Sequence, residues 1–104
     1  MSSRQDFAPK LAGGTAPVVF EFLGDLGAGE TISTAAVTAA VYSGTDASPS
    51  SLISGSASIS GTQVSQKLTG GTEGVVYKLT CTITTSVSYT RVKTGFLAVV
   101  PDLP

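Results

Sequence analysis

Residues 74 to 86, GVVYKLTCTITTS, alternate between apolar and polar side chains almost without a break. Val75, Tyr77, Leu79, Cys81 and Ile83 fall on one parity, and Val76, Lys78, Thr80, Thr82 and Thr84 on the other. Successive side chains of an extended strand leave opposite faces, so a period of two predicts a β-strand with the first set buried and the second turned outward. The outward set carries one charge, Lys78, where a solvated strand ordinarily holds more Lys and Glu to deter edge pairing and aggregation. A face made mostly of threonine is either lightly hydrated or covered by another protein.

The same thin ionisation runs through the whole chain. Only 12% of the 104 residues are charged, against roughly 25% in an average soluble domain. Mean hydropathy is +0.31, and the sequence holds 14 Ser, 14 Thr and 12 Gly. Thr favours strands while Gly and Ser punctuate turns, which makes all-β the expected class. A chain this long supports one core and no second domain. The net charge of -1 gives no basic face to release counterions from a phosphate backbone, so nucleic acid is not an expected partner. Glu21, Asp25, Glu30 and Asp46 follow one another without an intervening base, whereas Lys67, Lys78, Arg91 and Lys93 are interrupted only by Glu73. These are either scattered solvated charges or the two ends of a polar molecule that docks head to tail around a ring.

Further strands follow from the same pattern. Residues 16–23 place Val18, Phe20 and Phe22 on one face, with Pro17 at the start, where a missing donor is tolerated. In STAAVTAAVYSG, Ala35, Val37, Ala39 and Val41 share one face, and Thr34, Thr38 and Tyr42 the other. Its alanines also suit a short helix, but the β-branched Thr34, Val37, Thr38 and Val41 favour strand. SGTDASPSS reads as a loop. LISGSASISG predicts Ile53, Gly55, Ala57 and Ile59 inward and Ser54, Ser56, Ser58 and Ser60 outward. Gly61-Thr62 fits a two-residue hairpin turn into TQVSQKLTG, with Val64 and Leu68 inward. SYTRVKTGFLAVV supplies a last strand, or a pair broken near Gly95, with Val92, Phe96 and Val100 on one face. Six to seven strands and no convincing helix predict an antiparallel, immunoglobulin-like β-sandwich over residues 15–100. The Cys-Trp-Cys hallmark of antibody domains is missing, since the sequence has no Trp. Residues 1–14 read as an extended arm and 101–104 as a tail. Phe7, Pro9, Lys10 and Leu11 are its candidate partner contacts; the alternative is a frayed terminus.

The residues that carry chemistry are sparse. Histidine is missing, which removes the commonest general base and metal ligand together. Cys81 is the single cysteine, so no intrachain disulfide forms, and its apolar register predicts a small hydrophobe rather than a nucleophile. DLGAGE has two oxygen ligands of a calcium loop but lacks the rest. GGTEG and GAGE lack the Lys-Ser/Thr and strand-helix context of a phosphate loop and read as turns. Tyr42, Tyr77 and Tyr89 would make a sugar-stacking platform only if all three were outward, and Tyr77 lies on the core parity. No catalytic residue, cofactor or metal site is expected, and the chain is not read as an enzyme. MSSRQDFAPK lacks the apolar run of a signal peptide, and no stretch approaches the roughly 18 residues needed to span a bilayer. Cytoplasmic synthesis and no membrane partner are the expectation.

GETISTAAVTAAVYSGTDASPSSLISGSASISG, the GG-x-x-G turn and YKLTCTITTS together resemble a family of small tailed-phage proteins, the fiber-tail adaptors and similar virion components. The resemblance runs from FAPK at Phe7 to Lys10 through GFLAVVP. Its motifs are turn and strand patterns without a catalytic signature. It implies a non-enzymatic structural protein of a bacteriophage virion, assembled in the host cytoplasm and present in several copies in a symmetric assembly. Its partners would be other virion proteins of the tail, fiber or head-tail junction, which an adaptor holds together. A capsid decoration protein and a carbohydrate-binding module are the alternatives.

Overall fold

A computed structural model of the chain describes residues 4–6, 10–11, 14–22, 24 and 26–100. Six long strands are joined by short connections: β3 (Thr15–Glu21), β4 (Ile32–Ser43), β5 (Ile53–Ser60), β6 (Gln63–Thr69), β7 (Val76–Thr85) and β8 (Thr90–Val100). Two short ones precede them, β1 (Arg4–Asp6) and β2 (Lys10–Leu11). A 3-10 turn at Pro49–Leu52 leads into β5. Among the described residues no helix is long and apolar enough to cross a membrane.

The strands form two sheets. The larger is ordered β1-β8-β7-β4, with β2 also on β8, and the smaller is ordered β3-β6-β5. The six long strands pair antiparallel, whereas β1 and β2 lie parallel to β8. Buried side chains from both sheets make one cluster. Its centre is the inner row of β7, where Tyr77, Leu79, Cys81 and Ile83 are all buried, as is Val75 just before the strand, as the alternation requires. Large and small side chains alternate across the pair, with Ala35 of β4 opposite Ile83, Val37 opposite the small Cys81 and Ala39 opposite Leu79. On the other side Leu79 lies against Gly95 of β8. Facing this row are Val18, Phe20 and Phe22 from β3 and its extension, and Val64 and Leu68 from β6. Filling the space between the sheets in this way is worth about 1.5–3 kcal/mol for each large apolar side chain fully buried.

Three features depart from simple alternation. The last segment is one continuous strand through Gly95, and its core-side residues beyond that glycine are Leu97 and Val99. Val92, Phe96 and Val100 do share a face, the outer one, where Val92 is 60% exposed. Leu52, expected to open a strand, is buried in the 3-10 turn. In β5 the pairing with β6 jumps from Ser54–Lys67 to Ser58–Ser65, so two extra residues bulge from the edge. Gly55, expected inward, is exposed at a φ of 72° within this bulge, a backbone conformation that glycine adopts without steric cost. Ile59 pairs with the buried Val64 but is 41% exposed, at the turn end of a strand that no other strand pairs with on its outer side among the described residues.

The hairpin predicted at Gly61-Thr62 and the one between β7 and β8 both have identifiable turns. Gly61 has a φ of 59° and Thr62 does not enter the left-handed region, which matches a Gly-X type II′ turn between Ser60 and Gln63. The β7–β8 hairpin closes on a type I turn, with Ser88 N–H donating to the Thr85 carbonyl at 2.9 Å. Ser88 follows at a φ of 65°, the position that ordinarily calls for glycine in a three-residue hairpin loop.

The face assignment makes a direct prediction. Leu79→Ala will lower unfolding free energy by about 2–5 kcal/mol, while Thr82→Ala, three residues along on the outer face, will change it by less than about 0.5 kcal/mol. Urea unfolding followed by circular dichroism measures both. Equal effects, or a larger one at Thr82, would contradict the assignment of faces.

Candidate functional site

The outer face of the larger sheet is the broadest candidate interaction surface. Strand register brings its threonines into rows: Thr34, Thr84 and Thr90 lie side by side across β4, β7 and β8, as do Thr38, Thr80 and Thr94. Between them runs Ala36, Thr82 and Val92, and beyond them Ala40, Lys78 and Phe96. Lys78 is the single charge that β4, β7 and β8 place on this face. Tyr42 meets Phe96 edge-on across it, with ring centroids 4.6 Å apart, a geometry that the opposed charge of ring edge and ring face favours. Tyr42 is 59% exposed and Val92 60%. The surface thus offers hydroxyls, methyls and one aromatic corner, and almost no fixed charge.

The smaller sheet has a different exterior. Thr15 and Pro17 from β3, Ser65 and Lys67 from β6, and Ser54, Ser56 and Ser58 from β5 line a trough of about 480 Å³. The bulge of β5 shapes one wall. Gln66 is why the bulge holds. Its side chain is buried, and its amide Nε2 donates to the carbonyls of Lys67, Ser54 and Gly55 at 2.9, 3.0 and 3.2 Å. Ser54 and Gly55 lie in the stretch where the β5–β6 ladder is interrupted, so the amide supplies donors to backbone acceptors that the ladder leaves unpaired there.

Of the four arm residues singled out from sequence, Lys10 and Leu11 make up β2, in register with Val99 and Val100. Phe7 and Pro9 lie outside the described residues. The backbone of the arm therefore runs along β8 at two points, and the larger sheet is covered there by its own chain.

The charges meet rather than segregate at one end of the molecule. Lys93 Nζ donates to the Glu21 carbonyl, and its ammonium lies 5.2 Å from the centre of the Phe22 ring. Glu21 accepts from the Thr62 hydroxyl at 2.6 Å and from Gln63 Nε2 at 3.0 Å. Glu30 is held below the usual carboxylate range chiefly by the Gly27 N–H, with the Thr85 hydroxyl and the nearby Arg91 adding to it. Lys93 and Arg91 thus stand beside residues of the acidic run, so these contacts give no support to separate acidic and basic ends.

Cys81 is buried, and burial pushes its thiol up to about 11, with Lys93 opposing weakly. Such a thiol is inert rather than nucleophilic. Among the described residues no three His, Cys, Asp or Glu side chains come together as metal ligands. Tyr42 and Tyr89 are exposed but sit at opposite ends of β7, about 30 Å apart by strand rise, and Tyr77 is buried between the sheets, so the three rings do not form a platform.

The family model for the podophage GP4 fiber-tail adaptor protein gp77 matches residues 10–98. The chain belongs to this family. A fiber-tail adaptor is a structural kind of protein. No curated protein matches the chain. Within this adaptor chain, the match takes in β2 through nearly all of β8 and with them the threonine rows, the trough and the Gln66 bulge.

Two residues important to the adaptor's surface architecture escape a reading by parity. Gln66 falls on the inward set of β6, where its position between Val64 and Leu68 was the available signal. Tyr77 reads as an ordinary core residue, but its hydroxyl donates to Asp46 and accepts the Thr72 N–H at 2.9 Å. Asp46 also accepts the Ser48 N–H at 2.9 Å. This carboxyl is held below its ordinary value, first by the Tyr77 hydroxyl and then by the Ser48 N–H, while Tyr77 is pushed up by burial and then by Asp46. The corner fixes the loop after β4 to the start of β7.

Linkage then sets the pH behaviour of this corner. A carboxyl lowered on folding stabilises the native state above its unfolded value near 3.8, and that contribution disappears as pH falls through the folded value. A phenol raised on folding stabilises below about 10 and loses its contribution as pH rises further. The stability gap between the native chain and Asp46→Asn will therefore shrink below about pH 4. Tyr77→Phe will lower stability at neutral pH by about 1–3 kcal/mol and flatten the alkaline loss. Unfolding titrations at several pH values measure both, and a gap that is constant through the acid range would contradict the assignment.

Proposed function

We propose that this chain is a non-enzymatic structural protein of a tailed bacteriophage virion, an adaptor that holds fibers to the tail by protein-protein contacts. The family match over residues 10–98 carries this reading. The physical surface supports it, because an exterior of threonine rows with one lysine is suited to repeated contact with neighbouring subunits through hydroxyl hydrogen bonds and close packing. Several copies in a symmetric assembly, built in the host cytoplasm, follow from the same reading, with other tail, fiber or head-tail proteins as partners. Neither nucleic acid nor a membrane is needed for it.

The sandwich in this proposal is immunoglobulin-like. β3, β5 and β6 make one sheet and β4, β7 and β8 the other, and the first segments run parallel to the last strand. Tyr77 near the start of β7, taking a backbone N–H from five residues upstream, has the arrangement of a tyrosine corner. Residues 15–100 are the sandwich, 1–14 the arm and 101–104 a tail. The arm is the proposed contact element, with Phe7, Pro9, Lys10 and Leu11 reaching a neighbouring protein from a backbone that β8 steadies.

Electron cryo-microscopy of the particle tests the setting: copies in a ring at the tail support the adaptor, and copies distributed over the head support capsid decoration instead. Replacing Phe7, Pro9, Lys10 and Leu11 together with alanine tests the arm. The variant is expected to fold with unchanged circular dichroism and to enter particles about tenfold less efficiently, the factor that corresponds to 1.4 kcal/mol. Normal incorporation would remove the arm from the interface.

A further inference from the structure

The described residues expose six large apolar side chains, and three of them, Val87, Tyr89 and Val92, belong to the β7–β8 hairpin. Val87 is 54% exposed and Tyr89 58%. Apolar residues scattered singly over a surface need no explanation, whereas a group at one projection does. Residues 86–89 lie beyond the last ladder pairs, Ile32–Thr85 and Thr84–Thr90, so Val87 and Tyr89 stand on the tip that ends the larger sheet.

That tip is held in one conformation. Thr85 N–H donates to the Tyr89 carbonyl at 2.8 Å, and Tyr89 N–H donates to the Thr85 hydroxyl at 3.2 Å. Ser86 is tied to the segment that enters β4: its N–H donates to the Thr31 carbonyl at 2.8 Å, and its hydroxyl accepts the Thr31 N–H at 3.1 Å. A projection ordered in advance gives up little freedom when it docks.

Arg91 adds a charge beside it. Its guanidinium carbon lies 5.3 Å from the centre of the Tyr89 ring, within reach of the attraction between a cation and an aromatic face. Nε is shut away from solvent without a hydrogen-bond partner, and the two terminal nitrogens, which are not shut away, form no hydrogen bond within the chain. Glu30 feels the charge of Arg91 but is itself held by the Gly27 N–H at 2.7 Å.

We infer that the β7–β8 tip inserts Val87 and Tyr89 into an apolar cleft of a different protein, whose rim carries a carboxylate that pairs with the terminal nitrogens of Arg91. This rests on the adaptor reading and names one contact by which a neighbour is held. The chemistry of the occupant follows from the tip. A valine and a tyrosine ring gain by leaving water only against apolar surface, and the unpaired guanidinium selects an anion. Because Nε is shielded, the carboxylate is met end-on by both terminal nitrogens, the planar two-bond pairing for which Arg is suited. Tyrosine and arginine are also among the residues that most often carry binding energy at an interface. A second copy is a poor match. Its Glu21, Glu30 and Asp46 are hydrogen-bonded within their own chain, and its Glu73 stands exposed on the turn between Gly71 and Gly74. Its trough carries Lys67, which repels Arg91.

The double substitution Val87→Ser and Tyr89→Ser tests the apolar part of the contact, and Arg91→Gln the ionic part. Val87 and Tyr89 lie outside the core, so both full-length variants are expected to keep the circular dichroism of the native chain and to enter particles about tenfold less efficiently. Tyr89→Phe, which keeps the ring beside the guanidinium, is expected to enter normally. A map of the native particle, which needs no variant, is expected to show a carboxylate of a different protein against the terminal nitrogens of Arg91. Undiminished entry of the double variant or of Arg91→Gln, or a particle in which the tip faces solvent or a second copy, overturns the inference and leaves the adaptor reading standing. A particle that lacks this chain overturns both.

Discussion

The burial of one face of β7 is the constraint on which the rest of the molecule depends. β7 is the central long strand of its sheet, hydrogen-bonded to β4 on one side and β8 on the other. Its inner residues supply the large side chains against which the smaller sheet closes. With no disulfide available, this contact and the hydrogen-bonded ladders beside it hold the layers together. Because side chains alternate, the same strand that makes the core also sets the outer rows of threonine, and neither face can shift without moving the other.

That coupling explains how much was legible in the residues. Where apolar and polar side chains alternate strictly, as in β7, in Val18, Phe20 and Phe22, or in Val64 and Leu68, the expected inner face is the buried one. The type II′ turn at Gly61 was equally readable, because few residue pairs suit that backbone. The bulge in β5 was not. Two extra residues preserve parity, so Ile53, Ala57 and Ile59 stay on one side while Gly55 leaves it, and alternation alone cannot reveal the insertion. The partners that stabilise it, Gln66 and the carbonyls of Ser54 and Gly55, lie eleven and twelve positions apart. β1 and β2 were hidden for another reason: strands of three and two residues are too short to display a period. The contact of Tyr77 with Asp46 spans a separation of 31 residues, and nothing local announces it.

The outside of the molecule divides its labour between elements that differ in kind. The larger sheet presents threonine rows, the smaller a hydroxyl-lined trough, and the arm runs along β8. Under the proposed adaptor function, these are the surfaces that would meet neighbouring subunits, at small electrostatic cost because they carry little fixed charge. Some of the fixed charge lies instead at one end, where Lys93 and Arg91 stand beside Glu21 and Glu30. There the carboxylates stabilise loops.

Native-state amide hydrogen exchange of the isolated chain, read residue by residue, bears most directly on the claim that β7 is the strand on which both layers rest. If it is, the hydrogen-bonded amides from Tyr77 to Ile83 will exchange only through complete unfolding and will report the full unfolding free energy, while those in the bulge at residues 55–57 will exchange through local opening. Amides of β7 that exchange as readily as those of β5 would contradict it.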